Sequence, residues 1–530
     1  MSYPDPPNQG QWGAPGGQYQ PPPAGPGYAP APGPPRRAGR LWLVPVAAGL
    51  GVVLMATTVW AANTVVRDAF VGPDPATVLP GSAMVFAELN LQPNGGQLAD
   101  YARFAQRLPD TVRDEIDPEA DPAQEVVDGM IESLGVDMTY EADFEPWLGR
   151  RFGVALWRPA NENAAVDGTG PAVAIALACE DAAAAEAALT ELASQTELHY
   201  EVRDDFALLT PTPETLADLD HQVDTSGTLA DNTTYTGDMD AIGGDPVASA
   251  WTDLGALATA MAETESSPYG GYDEFGYPEE PAVPLDAYEN VSGRMAMGVT
   301  IRSGYVELRG DAFEVSADGI SMADYDIPDP GLDHMGNLPD DTVFAMGGTG
   351  LDSLVAQGYE DAPDDFAEFE SAMSDLGLTM PEGMTSLLGT RTALGFTDLG
   401  GSVDDFFGGT SSAPSFQYRA EGADSAALEE AVTQLWSGSY DAPPGVNDDG
   451  SAVVVTSGST GTGRLGEDPL YQQAMEGTED AHMGVYVDLE PLMAEAGEHA
   501  PEQWGVLGGS VGFTQESMSM RARWAPNGGQ

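Results

Sequence analysis

The stretch from Pro171 to Ala193 (PAVAIALACEDAAAAEAALTELA) lies without gaps on Pro414 to Trp436 (PSFQYRAEGADSAALEEAVTQLW). Each copy reads as an extended run, an acidic residue and an amphipathic helix. Ala185, Leu189 and Leu192 share one helical face in the first copy, as Leu428, Val432 and Leu435 do in the second. Asp181 and Asp424 stand where a carboxylate accepts from the free amides of a first turn and meets the positive end of the helix dipole. Other pieces recur in the same order. LPGSAMVFA (79–87) matches LPDDTVFA (338–345), and LGRRFGVAL (148–156) matches LGTRTALGF (388–396). Tyr235 and Met239 match Tyr471 and Met475, WTDLGAL (251–257) matches YVDLEPL (486–492), and GVTIRSGYVELR (298–309) matches GFTQESMSMRAR (512–523). A bias toward small residues can mimic one such match, but not a whole series in one order.

A region written twice builds two like units. We therefore expect two homologous lobes, 79–326 and 327–530, with DIPDPGLDHMGN (326–337) as the joint between them. Strands joined both by short turns and by helices argue an α+β fold, with helices covering one face of mainly antiparallel sheets. The first lobe carries two insertions, an acidic helical stretch at 109–146 and SPYGGYDEFGYPEEPAVP at 267–284, whose Gly, Pro and acids mark a loop.

Ahead of the repeats, residues 41–62 (LWLVPVAAGLGVVLMATTVWAA) run without a charge just after Arg36, Arg37 and Arg40. At about 1.5 Å per residue, such a helix is long enough to cross a hydrocarbon core of about 30 Å. The arginines place the N-terminus in the cytoplasm, and Trp42 and Trp60 suit the two interfaces. Val59 and Ala61 would also fit a cleavage site. The forty-residue leader and the long apolar run exceed the measure of a signal peptide, so the reading is an uncleaved anchor followed by a 63–78 linker. Residues 1–40, dense in Pro and Gly, read as a disordered cytoplasmic tail. The expectation is a single-pass protein of a bacterial cell membrane, partnered with the bilayer through 41–62, its C-terminal region outside the cytoplasm.

All nineteen basic residues are arginine, set against 85 acids, for a net charge of −66. That field argues against nucleic acid as a partner and would draw divalent cations or basic proteins. The acids are scattered: DPEADPAQE, DYDIPDPGLD and NDDGS all lack a complete calcium-loop pattern. Cys179 is the single cysteine, so no intramolecular disulfide is available and the core must hold the fold. Within AVAIALAC it reads as a small buried hydrophobe.

Motifs that suggest chemistry fail on inspection. GGSVG (508–512) has the form of a nucleophile elbow, but no helical pattern follows Ser510. GSTGTG (458–463) resembles a phosphate loop, yet Arg464-Leu465 replaces the required Lys-Ser/Thr. The histidines at 199, 221, 334, 482 and 499 show no H-x-H or H-E-x-x-H spacing. The reading therefore assigns no catalytic, cofactor-binding or metal-binding residue and no cofactor. Arg151 and Arg391 are the residues singled out, because each follows a Leu-Gly turn into a strand. A guanidinium fork there could clamp a carboxylate or phosphate of a ligand, or tie its own lobe together through an acid.

With its tail, single apolar span, LP strand openings, LGxR turns and Y/W-x-DL corners, the chain resembles the uncharacterised actinobacterial membrane-anchored proteins of domain of unknown function 3352. That resemblance implies a bacterial envelope protein of similar length, and it transfers no activity or site residue. The expectation for function is a non-enzymatic envelope protein that binds a partner or an apolar ligand between or within its lobes. The alternatives are an extracytoplasmic hydrolase using carboxylates distant in sequence and a structural scaffold.

Overall fold

The computed structural model describes residues 73–528 apart from 92–94, 116–120, 167–169, 266–290, 318–319, 322, 324–326, 362–365, 367–369, 371–372, 375–376, 400, 402–413 and 438–442. Among the described residues seventeen strands form one antiparallel sheet. In the N-terminal half they are β1 (Ala83–Asn90), β2 (Leu148–Trp157), β3 (Ala172–Cys179), β4 (His199–Arg203), β5 (Phe206–Thr210), β6 (Ala248–Asp253), β7 (Ser292–Arg302), β8 (Tyr305–Ala317) and the short β9 (Ile320–Ser321). In the C-terminal half they are β10 (Phe344–Thr349), β11 (Arg391–Asp398), β12 (Ser415–Glu421), β13 (Gly445–Asp448), β14 (Val453–Ser457), β15 (Met483–Asp488), β16 (Val506–Phe513) and β17 (Ser517–Ala525).

The pairings run β4–β5–β3–β2–β1–β6–β7–β8 in one half. In the other they run β13–β14–β12–β11–β10–β15–β16–β17. Read from its outer edge, each half has the same order, and β8 pairs β17 at the seam. There Arg309 faces Arg521, and the strand registers on either side make these two residues equivalent, so a pseudo-twofold passes through that pair. Beside it Arg523 donates to Glu307 from Nε at 3.0 Å, and the Arg523 guanidinium lies 3.9 Å from the Tyr305 ring centre. Arg521 approaches the same carboxylate at 3.4 Å. The sheet therefore runs on where two separate sheets were expected. Strands β8 and β17 would each have been an unpaired edge, and joining them satisfies both rows of backbone groups.

Helices cover both faces of the sheet, not one. Strand β3 shows why. Val173, Ile175, Leu177 and Cys179 enter one core, Ala172, Ala174, Ala176 and Ala178 enter another, and all eight residues are buried. The side-chain period of two sends alternate residues to opposite faces, so a strand buried throughout requires two covers. On the first face lie α1 (Gly95–Ala105), α2 (Asp110–Glu115), α3 (Pro122–Leu134) and α4 (Ala182–Gln195), with the π-helical turn Tyr140–Phe144. On the alanine face lie α5 (Pro213–Ser226) and α6 (Thr233–Ile242), which the small side chains admit close to the sheet. The helix α7 (Leu254–Glu265) follows β6. Asp181 caps α4 by accepting from Ala183 N and Ala184 N at 3.0 and 3.1 Å.

The C-terminal half contains α8 (Asp333–Gly336), α9 (Leu351–Asp361), α10 (Glu382–Leu388), α11 (Ser425–Leu435), α12 (Pro469–Met475) and α13 (Glu490–Glu495). Asp424 caps α11 as Asp181 caps α4, accepting from Ala426 N at 2.8 Å and Ala427 N at 3.3 Å. Tyr235 packs edge-on against Trp251 in one half, and Tyr471 against Tyr486 at the matching place in the other.

The expected fold class requires a correction as well. Among the described residues no helix is long and apolar enough to cross a membrane. The expected span 41–62, the tail 1–40 and the loop insertion 267–284 lie outside the described residues.

Candidate partner-binding face

The two arginines singled out in the sequence sit at matching places and do different things. Arg151, on β2, donates from Nε to Glu88 at 2.7 Å, and its Nη2 makes a second bond to the same carboxylate. Asp74 lies 3.7 Å away. Burial pushes the Glu88 carboxyl up to about 7, against the pull of the Arg151 charge. The carboxyl is closed in by its own ion pair with Arg151.

Arg391, on β11, has no such partner, because position 347, the repeat counterpart of Glu88, is glycine. Its ion pair is with Asp333 at 3.7 Å, and that acid is 82% exposed. Aligning LPGSAMVFAEL with LPDDTVFAMGG reveals this Glu-to-Gly difference, which is the sequence signal that separates the two arginines. Near Asp333 a cleft of about 540 Å³ is lined by Leu332, Asp333, Arg464, Glu467, Tyr471 and Glu479, among others. Its walls carry both signs of charge, and Arg391 is not among the residues that line it.

The remaining motifs resolve into structure. Ser510 lies within β16, opposite Gly484 and Arg521, with no helix after it. The Gly458–Gly463 turn packs on two acids, Asp340 and Asp341, and Gly461 N donates to Asp341 Oδ1 at 2.7 Å. A carboxylate already occupies the place where a phosphate loop would hold its anion. His482 bridges Phe513 N and the Pro328 carbonyl at 3.1 and 2.9 Å. His334 meets Glu421 at 3.2 Å. Among the described residues no three His, Cys, Asp or Glu side chains are grouped to hold a metal ion. Cys179 is buried, and burial pushes its thiol up, away from the reactive thiolate.

The feature that sequence reasoning missed is a sheet face. In β10, β15 and β16 alternate residues point to opposite sides. Ala345, Tyr486 and Val506 enter the core beneath α8 and α12. Their neighbours Met346, Val485, Met483 and Leu507 point the other way and are 46%, 38%, 37% and 40% exposed. The register makes them one surface. Met346 faces Val485, which faces Gly509, while Val487 faces Leu507. Leu507 then faces Trp524, and Met483 and Met520 both face Val511. Across the seam Met520 faces Gly310, and Gly310 faces Met297.

The same side of the N-terminal half is the floor of its larger core, where Leu89, Val299 and Ile301 are buried beneath Tyr101, Phe104 and Leu108. The boundary between covered and open floor is aromatic: Phe104 packs edge-on against Trp524, and Trp524 against Trp504. The far boundary is the α11 core, where Leu428 and Val432 cover Val453 and Val455.

Residues 43–206 match the family model described as Protein of unknown function (DUF3352). Over that span the chain resembles the proteins of this family. The match takes in β1 to β4 and ends at Phe206, the first residue of β5, short of the open face. No curated protein and no solved structure matches the chain.

Proposed function

We propose that this chain is a non-catalytic binding protein whose C-terminal half docks a polypeptide partner on the open face of β10, β15, β16 and β17. The observation that carries the reading is the side-by-side exposure of Met346, Met483, Val485 and Leu507 on consecutive strands. Large contiguous apolar surface open to water marks an interaction site, whereas single exposed hydrophobes do not. Methionine is unbranched and polarizable, so a floor containing Met346, Met483 and Met520 can fit a partner's side chains without one fixed shape. The site is an open surface rather than an enclosed apolar cavity, which favours a polypeptide over a small apolar molecule.

A photo-crosslinking amino acid at Val485 of the full chain, in cells that make the protein, tests this. The expected result is a discrete polypeptide adduct, competed away by unlabelled protein and not formed from the same probe at exposed Ser451. Adducts confined to lipid or to a second copy of this chain, or an adduct from Ser451 equal to that from Val485, would overturn it.

A further inference from the structure

Resting on that docking reading, we infer that the partner presents an amphipathic α-helix with a basic outer face. The duplicated half supplies the first argument, because it shows what this side of the sheet accepts. There the cover includes α1 and the residues just after it, which lower Tyr101, Phe104, Ala105 and Leu108 onto the floor. Those positions are spaced i, i+3, i+4 and i+7, the anchor pattern of a helix laid into an apolar groove. The same stretch carries Arg103 and Arg107 against Asp100, in a chain where acids far outnumber arginines. Within residues 95–108 two arginines thus stand against one acid.

Size agrees. Strands lie about 4.8 Å apart, so the three steps from β10 to β17 span about 14 Å. A helix with its side chains is about 10–12 Å across, which fills that width once. Trp504 and Trp524 bound that width on one side, and β11 and β12 separate it from the α11 core on the other.

Charge supplies the third argument. Residues 338–530 hold five arginines and 32 acids. Arg391, Arg419, Arg521 and Arg523 are in ion pairs, and Arg464 lines the cleft beside α12, on the opposite side of the sheet. The strands β10, β15 and β16 contain no basic residue at all. A helix lying on this floor gains from lysine or arginine on its exposed sides and loses from acids there.

The test uses the full-length protein and a fluorescein-labelled synthetic peptide of residues 95–108, read by anisotropy. The expected result is saturable binding. It should weaken at least tenfold when Tyr101, Phe104 and Leu108 of the peptide become serine, when Arg103 and Arg107 become glutamate, or when Ala102 becomes proline. Val485→Lys in the protein should weaken it comparably, with an unchanged melting curve and circular dichroism, and Leu507→Lys serves as a second variant should the first fail to fold. If the proline-broken or charge-reversed peptide binds as tightly as the original, or the original does not bind saturably, the helix inference is overturned. The docking reading would still stand if crosslinking from Val485 gave its polypeptide adduct. If sedimentation shows that the chain itself dimerises and Val485→Lys returns it to monomer, the occupant is a second copy and both readings fall.

Discussion

The two halves of the sheet share a strand order and differ in what they close. In the N-terminal half, Arg151 is clamped to a buried glutamate and Phe104 is lowered onto the floor. In the C-terminal half, Arg391 reaches only an exposed aspartate, and four large apolar side chains stand open. A duplicated fold thus separates two tasks. One copy spends its polar and apolar groups on its own stability, and the other leaves the equivalent positions available.

The sharpest way to break this comparison is to remove the two arginines. Arg151→Ala leaves Glu88 buried without its counter-charge, and loss of one partner from a buried pair costs about 3–5 kcal/mol. Arg391→Ala removes a surface pair worth about 1 kcal/mol or less. Denaturant unfolding of both variants at pH 8 measures the difference, and equal losses would refute the asymmetry. The contrast is itself pH-dependent. Glu88 ionises in the usual range when unfolded but at about 7 in the fold. Between those values the folded chain keeps a proton that the unfolded chain has released. The stabilisation from this site is therefore full below the unfolded value and is lost as pH rises through about 7. Glu88→Gln should remove that decline, which is on the order of 3 kcal/mol. The penalty for Arg151→Ala should be smaller at pH 5.5, where Glu88 carries its proton, than at pH 8.

The second contrast sets the covered floor against the open one. Phe104 is fully buried, so Phe104→Ala should cost about 3–5 kcal/mol by leaving a cavity against Trp524 and the sheet. Met346 is 46% exposed, and Met346→Glu should shift stability by about 0.5 kcal/mol at most. Thermal melts of the two single variants decide the matter. If Met346→Glu destabilised as strongly as Phe104→Ala, the face would be closed in solution and the docking reading would lose its ground.

How far the sequence discloses these differences depends on the range of the interaction. The caps at Asp181 and Asp424 are legible because cap and helix are adjacent in the chain, and the aligned repeats carry both. The run AVAIALAC is legible as a strand, since its β-branched and apolar residues sit between an opening Pro171 and an acidic cap. What it buries on each side is not, because alternation assigns residues to faces without saying what covers them. The continuous sheet was missed for a related reason. Either hairpin, 298–309 or 512–523, can end a sheet on its own, and only their mutual pairing turns two edges into a seam. Arg151 and Glu88 lie 63 residues apart, and no local pattern joins them. Comparing the repeats column by column does separate Arg151 from Arg391, through Glu88 against Gly347. The openness of Met346 and Val485 leaves no such trace, since MGVYVD alternates like any buried strand.

The smallest effect is the one that should not differ between halves. Asp181 and Asp424 accept from the second and third amides of α4 and α11 at nearly the same distances, and both helices follow a strand of the sheet. Replacing either cap with alanine should cost about 1 kcal/mol, and the two losses should agree within about 0.5 kcal/mol, since the sites are far apart and share no partner. Chemical denaturation of Asp181→Ala, Asp424→Ala and the double variant measures both values and their sum. Agreement would mean that the halves diverge only where a side chain was lost or a cover is missing. A loss at Asp424 well below that at Asp181 would mean that the whole C-terminal half is looser, and the open face would then be one symptom of weak packing and not a surface kept free for a partner.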